Sequence, residues 1–358
     1  MRMRGILAGL VLVFCAVCSG CGTHELEDRG FPLAIGIDQN EDGMVLSFDF
    51  PDLTESSEGK NPAGKPVSFS VEAGAYYEAQ KAYENNTNKI LDYNHLKAIV
   101  ISQEFLEDDE ALRELFAWLE REEVLARNIC LFAAKDSAAE ILTLTEDTGG
   151  SVGKYLEQMV ETQEDFKENK VMTIGELMNQ WHNQNELLLI PVLKNNGGVP
   201  SVAEYVTMDA FSFCGVISVE EAMKAFLCQN LLRKFLYRLE SGEVLQLERL
   251  HRSMDIKEEG EQTLVTITLT GDAQIKKAGN GKEFTRGQLQ KKLNRQLADS
   301  MNQTAEILIE DPGVDITNSF ICLGSRSRRL YKKYNQDYGS YKNSLSINFQ
   351  VDMNLINE

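Results

Sequence analysis

The sequence predicts an α+β fold, a multi-domain mixed α/β body that ends in an antiparallel sheet packed around one long helix. Three observations carry this. First, Leu289, Leu293, Leu297, Met301 and Ala305 recur every four residues, with Leu308 continuing the line, so the segment 285–311 stacks them as one apolar helical stripe. Thr285 stands three residues before Gln288, the spacing of a reciprocal N-terminal cap, and Pro312 stops the helix because it has no N–H to donate. Some 25 residues give a rod of roughly 40 Å. Second, Ser344 to Asn354 alternates strictly, with Leu345, Ile347, Phe349, Val351 and Met353 on one face, and Thr263 to Thr270 does the same with Val265, Ile267 and Leu269. Strands of period two beside a helix of period 3.6 imply a sheet packed on that helix, and burying six such side chains contributes on the order of 10 kcal/mol before entropy is subtracted. Third, the rest of the chain mixes strands and helices without a regular βαβ rhythm.

In chain order, residues 1–20 read as a leader outside the fold. Arg2 and Arg4 precede the apolar run Ile6 to Val17, which is too short to span a bilayer and has the length of a signal-peptide core. Cys18-Ser19-Gly20-Cys21 follows. Small residues before a cysteine resemble the bacterial lipobox, whose cysteine becomes an acylated mature N-terminus; Cys18 stands where the lipobox usually has Leu. Cys21 is therefore the expected lipid attachment site, and two acyl chains on one residue anchor stably. The alternative is an ordinary secretory signal with an incidental Cys21.

The body starts with a strand at Phe31–Asp38, an acidic turn, and a second strand carrying Met44, Leu46, Phe48 and Phe50. Pro51 to Pro66 is a loop rich in Ser, Gly, Glu and Pro. A strand at Val67–Val71 leads to a helix with Ala75, Tyr76, Ala79 and Tyr83 inward. Leu96–Ile101 and Asn128–Ala134 read as buried strands. Leu106–Arg121 is a helix with Leu112, Leu115, Phe116 and Leu119 inward, and Ser137 caps a helix to Leu144. Helices near Lys154–Thr162 and Gly175–Gln184 precede a strand at Leu187–Leu193. Asn195-Asn196-Gly197-Gly198 is the expected boundary, giving 21–196 as an N-terminal α/β region of one or two domains and 197–358 as a C-terminal domain. Beyond it lie a strand pair near Val206–Ile217, a helix over Ser218–Leu239 and a long strand from Glu243 towards Ile256.

With 36 Lys and Arg against 55 Asp and Glu, the 358-residue chain carries a net charge of −19, which argues against general affinity for nucleic acid and against broad adhesion to anionic lipid. The charge is uneven. From Gly271 to Lys342, 13 Lys and Arg face 8 Asp and Glu, a net of +5, densest at Arg326, Arg328, Arg329, Lys332 and Lys333. Such a cluster is either a solvated face or a contact for lipid headgroups or an acidic partner. Of seven cysteines, Cys130, Cys214, Cys228 and Cys322 sit singly in apolar strings and read as small buried hydrophobes, not a disulfide framework.

Chemistry-bearing motifs are scarce. His24, His95, His182 and His251 have no metal-ligand or catalytic neighbour at helical spacing. No nucleophile elbow, phosphate loop or dinucleotide fingerprint is present, and Gly279-Asn280-Gly281-Lys282 reads as a turn. Asp38, Asn40, Asp42 and Gly43, with Asp49, match the ligand positions of a calcium loop, but strands flank them where that motif needs helices. An acidic hairpin turn is the favoured reading. Trp118 and Trp181 read as core. No catalytic set, cofactor or metal site is expected.

The motifs that remain suggest a family. Cys21, Glu25-Leu26-Glu27-Asp28 and Ala34-Ile35-Gly36-Ile37-Asp38 resemble the mature start of the Ger(x)C lipoproteins, the C subunits of spore germinant receptors, although Gly22 replaces their usual Trp. His95 to Ile101, Arg121 and Arg127 ahead of Ala138-Ala139-Glu140-Ile141-Leu142, and Ala210-Phe211 to Ile217 with Glu220-Glu221 are similar to later segments of that family, as is the C-terminal layout. The resemblance implies a non-enzymatic, lipid-anchored membrane protein on the outer face of the spore inner membrane. It also implies action with integral membrane A and B subunits in nutrient-triggered germination, and a last domain in which a sheet wraps round a long helix. Of site residues it carries over Cys21 alone. The rival readings are an extracytoplasmic solute-binding lipoprotein, which needs a deep cleft near Asn195–Gly198, and an envelope hydrolase, which needs converging carboxylates or a Cys–His pair.

Overall fold

A computed structural model describes residues 28–41, 43–51, 67–122, 124–144, 151–162, 172–182, 187–209, 212–279, 284–334 and 337–356. The first part of the chain runs through β1 (Arg29–Gly30), β2 (Ala34–Asn40), β3 (Gly43–Phe50), β4 (Val67–Ala73), α1 (Tyr76–Thr87), β5 (Ile90–Leu91) and β6 (Ala98–Ser102). It continues through α2 (Gln103–Leu106), α3 (Asp109–Arg121), β7 (Cys130–Ala134), α4 (Ala138–Leu142), α5 (Val152–Thr162) and α6 (Ile174–His182). Then come β8 (Leu188–Asn196), β9 (Val199–Asp209) and β10 (Ser212–Ser218).

Eight of these strands form one sheet in the order β10-β9-β8-β7-β6-β2-β3-β4. The central four, β8, β7, β6 and β2, are parallel, and antiparallel hairpins extend both sides. Parallel centres are covered on both faces, which is why Ala98–Ile101 of β6 and all of β7 are unbroken apolar runs. Alternation splits them cleanly. Ile35, Ile37, Ile99, Ile101, Leu131 and Ala133 pack with α1, α2, α3 and α6, while Ala34, Ala98, Val100, Phe132 and Ala134 pack with α4 and α5. Three of the five residues on the second face are alanines, Ala34, Ala98 and Ala134, and its helices come close. A Cβ on Gly153 of α5 would lie 2.3 Å from the Leu33 carbonyl oxygen, which reserves that position for glycine.

Asn195 to Gly198, the expected boundary, turns the β8–β9 hairpin inside this sheet, with Asn195 Oδ1 accepting from the Gly198 N–H at 2.9 Å. Gly197 and Gly198 both have positive φ, at 66° and 96°, as a two-residue hairpin turn needs. The signal that resembles a linker is also that of a tight turn.

After β10 come α7 (Val219–Cys228), β11 (Lys234–Arg238), β12 (Val244–Glu259), β13 (Gln262–Lys277) and α8 (Arg286–Glu310). The helix expected over Ser218–Leu239 therefore stops at Cys228. Asn230 takes φ 60° and breaks it, and Lys234–Arg238 alternates exposed and half-buried positions against β12. The chain closes with α9 (Ser319–Arg326), α10 (Arg328–Tyr334), α11 (Tyr338–Ser344) and β14 (Leu345–Leu355).

The second sheet has the order β11-β12-β13-β14. Its first three strands are antiparallel as expected, but β14 lies parallel to β13, because the chain returns through α8 to α11 before re-entering the sheet. The apolar stripe of α8 is buried as its spacing predicts: Leu293, Leu297 and Met301 are wholly inaccessible, and Thr285 with Gln288 forms the reciprocal cap. Asn302 and Asn294, two turns apart on α8, accept from the Phe349 and Met353 N–H groups at 2.8 and 3.0 Å. The helix thus covers the outer edge of β14, which would otherwise offer bare donors to another strand.

Candidate functional site

Long side chains and a loop join the two sheets where β9 ends. Leu187, just ahead of β8, and Leu189, Tyr205 and Ile217 of the first sheet share one apolar core with α7, α8 and the second sheet. The polar centre of the junction is Asp209, the last residue of β9 and 4% exposed. Its Oδ2 accepts from Lys342 Nζ of α11 at 2.8 Å, and that ammonium also donates to the Gly313 carbonyl at 3.1 Å and lies 4.9 Å from the Tyr338 ring centroid. Burial pushes the Asp209 carboxyl up, and Lys342 opposes that shift. Burial and the neighbouring carboxylates Asp209 and Asp315 push the Tyr338 phenol upward as well, so it stays neutral.

The segment after α8 is stitched to both sheets. Asp315 is buried and accepts from the Thr317 N–H at 2.8 Å, the Ser319 N–H at 3.0 Å and Ser319 Oγ at 2.7 Å, which orders the start of α9. Tyr341 Oη donates to Ser319 Oγ at 2.8 Å. Asn318, at φ 51°, turns its Oδ1 to the Leu187 N–H at 2.9 Å, just ahead of β8. Arg252 of β12 donates to the Thr317 and Cys228 carbonyls at 3.0 and 2.5 Å. Gly215 of β10 meets Pro312 so closely that a Cβ there would sit 3.0 Å from the proline ring. This arrangement ties the two sheets together. It aligns no nucleophile with a base.

Cys21, the expected attachment site, lies outside the described residues, as do His24, Asp42 and residues 280–282 of the glycine turn. The two described calcium-like carboxylates, Asp38 and Asp49, are separated and occupied. Asp38 pairs with Val45 and Asp49 with Ala34, four register steps apart, or about 13 Å along the hairpin. Asp38 accepts from the Ala138 and Ala139 N–H groups at 2.7 and 2.9 Å, while Asp49 accepts from Ser151 Oγ and the Gly153 N–H, both at 2.9 Å. They hold the N-termini of α4 and α5 onto the sheet. Burial, outweighing those hydrogen bonds, pushes the Asp49 carboxyl up. Among the described residues no group of three or more His, Cys, Asp or Glu is placed to hold a metal.

His95 stands edge-on to Phe31 at 5.1 Å, and Trp118 stacks on Tyr76 at 4.6 Å, both packing roles. The four body cysteines are free; Cys130 and Cys228 are buried as expected, Cys214 and Cys322 half-buried. Among the described residues, cavities of about 250 Å³ lie at Arg29, Asp92, Tyr93 and Glu122, and of about 230 Å³ at Asp136, Ser137, Leu193 and Asn195. Both fall below the roughly 300 to 1,000 Å³ of ordinary small-molecule pockets, including the one where a solute-binding protein would need its cleft. The basic cluster lies on α9 and α10, where Arg329 and Lys333 share Glu258 at 3.0 and 2.9 Å.

Sequence reasoning missed the junction because Asp209 and Lys342 are 133 residues apart. The only local sign was an Asp at a strand end.

Residues 22–195 match the family described as "Spore germination protein N-terminal domain". Among solved structures the chain is similar to that titled "Crystal Structure of the GerBC protein", with a TM-score of 0.60 over 90% of this chain and 96% of that one, at 14% identity. No curated protein sequence matches this chain at a significant level.

Proposed function

Because the chain belongs to the germinant-receptor C-subunit family of spore germination proteins, we propose that it acts as the lipid-anchored, non-enzymatic member of a receptor complex. In this reading Cys21 carries the diacylglyceryl and palmitate chains and holds the body on the outer face of the spore inner membrane. The two-sheet body then docks on the integral membrane A and B subunits. The observation that carries the reading is the start of the family match at residue 22, directly after Cys21. A family match that begins there is what an acylated mature N-terminus requires. No helix among the described residues is long and apolar enough to cross a membrane, and the reading assigns attachment to Cys21.

The buried, hydrogen-bonded junction fits such a role. A subunit that responds to a nutrient by biasing its partners' conformation acts through binding free energy that differs between their states, and a stiff body transmits that difference. The test is an affinity pull-down from detergent-solubilised spore membranes, comparing wild type with Cys21→Ala, together with metabolic labelling by an alkynyl palmitate. Co-purification of multi-span subunits with the labelled wild type, and loss of label in the variant, supports the reading. Recovery of the wild-type protein alone and unlabelled would sink it.

A further inference from the structure

We propose that the α9–α10 hairpin is a second membrane contact, one that lays its outer face on anionic phospholipid; the orientation argument rests on the anchor reading above, and the contact chemistry does not. Within Ser319–Tyr334 there are five cations, Arg326, Arg328, Arg329, Lys332 and Lys333, and no acidic residue, in a chain whose net charge is −19. Leu323, Leu330 and Tyr334 turn inward and are buried. The outer face keeps Ile321 and Tyr331 at 44% and 52% exposure, among the large apolar side chains left uncovered. They are neighbours: Ile321 and Gly324 share a face of α9, and a Cβ on Gly324 would lie 3.7 Å from the Tyr331 ring.

An aliphatic side chain and an amphipathic aromatic ring, flanked by Arg326, Arg328 and Lys332, form the chemistry of an interfacial helix face. Glu258 neutralises only part of the cluster. A solvated face would need the charges but not the uncovered Ile321 and Tyr331. An acidic protein partner is the rival occupant, and placement favours lipid. The four parallel strands of the first sheet all begin at one end, where Asn318 meets the Leu187 N–H immediately before α9. The chain enters the same end through β1 and β2, three strands or about 14 Å from β8. Seven residues separate Cys21 from Arg29, a reach of at most about 29 Å. An anchor at Cys21 thus keeps this end of the body close to the headgroups. The remaining acidic surface is repelled by anionic lipid, which favours one orientation.

The experiment is hydrogen–deuterium exchange and flotation of the full-length protein on vesicles of phosphatidylglycerol and of phosphatidylcholine. Flotation on phosphatidylcholine reads the anchor alone, so its failure counts against the anchor and not against the contact. On phosphatidylglycerol at 0.1 M salt, exchange across 319–334 should slow several-fold relative to phosphatidylcholine, and the difference should vanish at 0.5 M salt. The variant R326Q/R328Q/K332Q, exposed at every position, should fold with unchanged thermal stability and lose that difference. If the protein is not anchored, its partition onto phosphatidylglycerol should fall in the variant by about fivefold per cation removed, on the order of 100-fold in all. Equal exchange on both lipids, protection that survives in the variant, or protection that appears only after the integral membrane subunits are added would overturn the proposal.

Discussion

Lys342→Met tests whether the junction between the sheets is a stabilising ion pair or an incidental contact. The substitution keeps most of the aliphatic stem and removes the ammonium, leaving Asp209 with a side chain 3% exposed and no cation within reach of its Oδ2. Stranding one partner of a buried pair costs about 3–5 kcal/mol, and the 30% exposure of Lys342 places this case at or below the lower end, about 2–3 kcal/mol. A chain of this length unfolding as one unit has an entropy near 0.7 kcal/mol/K, so the midpoint should drop by about 3–4 °C. The pH dependence has a definite sign. The Asp209 carboxyl is already raised by burial against the pull of Lys342, and without the lysine it rises further. A raised acid contributes most at pH below its unfolded value, and that contribution is lost as pH rises through its folded value. The variant's deficit should therefore be largest at pH 8 and shrink towards pH 5, where the stranded carboxyl takes up a proton. Asp209→Asn in the same background should restore most of the loss. Thermal unfolding followed by circular dichroism at both pH values decides it. A variant within 1 °C of wild type at pH 8, or a deficit that grows on acidification, would refute the reasoning.

Three further outcomes follow from packing and polar contacts. Met301→Ala, at a wholly buried position of α8, should cost about 2–5 kcal/mol in chemical denaturation, whereas Gln303→Ala on the exposed face should stay within about 0.5 kcal/mol. Gly153→Ala drives a methyl into the Leu33 carbonyl and should cost several kcal/mol, about 1–3 or more, with α5 losing amide protection first. Asp49→Ala removes the acceptor for Ser151 and Gly153 and should cost about 1–3 kcal/mol, while millimolar calcium should leave the melting temperature of wild type unchanged; a calcium-dependent rise would restore the metal reading of Asp38 and Asp49.

Periodicity made the C-terminal architecture legible. The stripe from Leu289 to Leu308 and the alternation of Val265, Ile267, Leu269, Phe349 and Met353 fix which faces must be buried, and a helix and sheet with one apolar face each have few ways to do so. Local caps were equally readable, because Thr285 with Gln288 and Ser137 with Glu140 act within three residues. Strand partnership was not. Nothing in β14 says that it runs parallel to β13, since alternation is the same in either direction, and the short apolar stretch at Lys234–Arg238 fits a helix end as well as an edge strand. The glycines at 197 and 198 specify a reversal of the chain but not whether it closes a hairpin or a domain. The carboxylates were hardest. Asp38, Asp49 and Asp209 are chemically alike in sequence, yet their roles are set by the Ala138, Ser151 and Lys342 groups 100 or more residues away. Short-range steric and hydrogen-bonding preferences are encoded within a few residues, and so the sequence determined the elements and their buried faces. A buried charge takes its role from whichever donors the folded chain brings to it, and only the tertiary structure decided that.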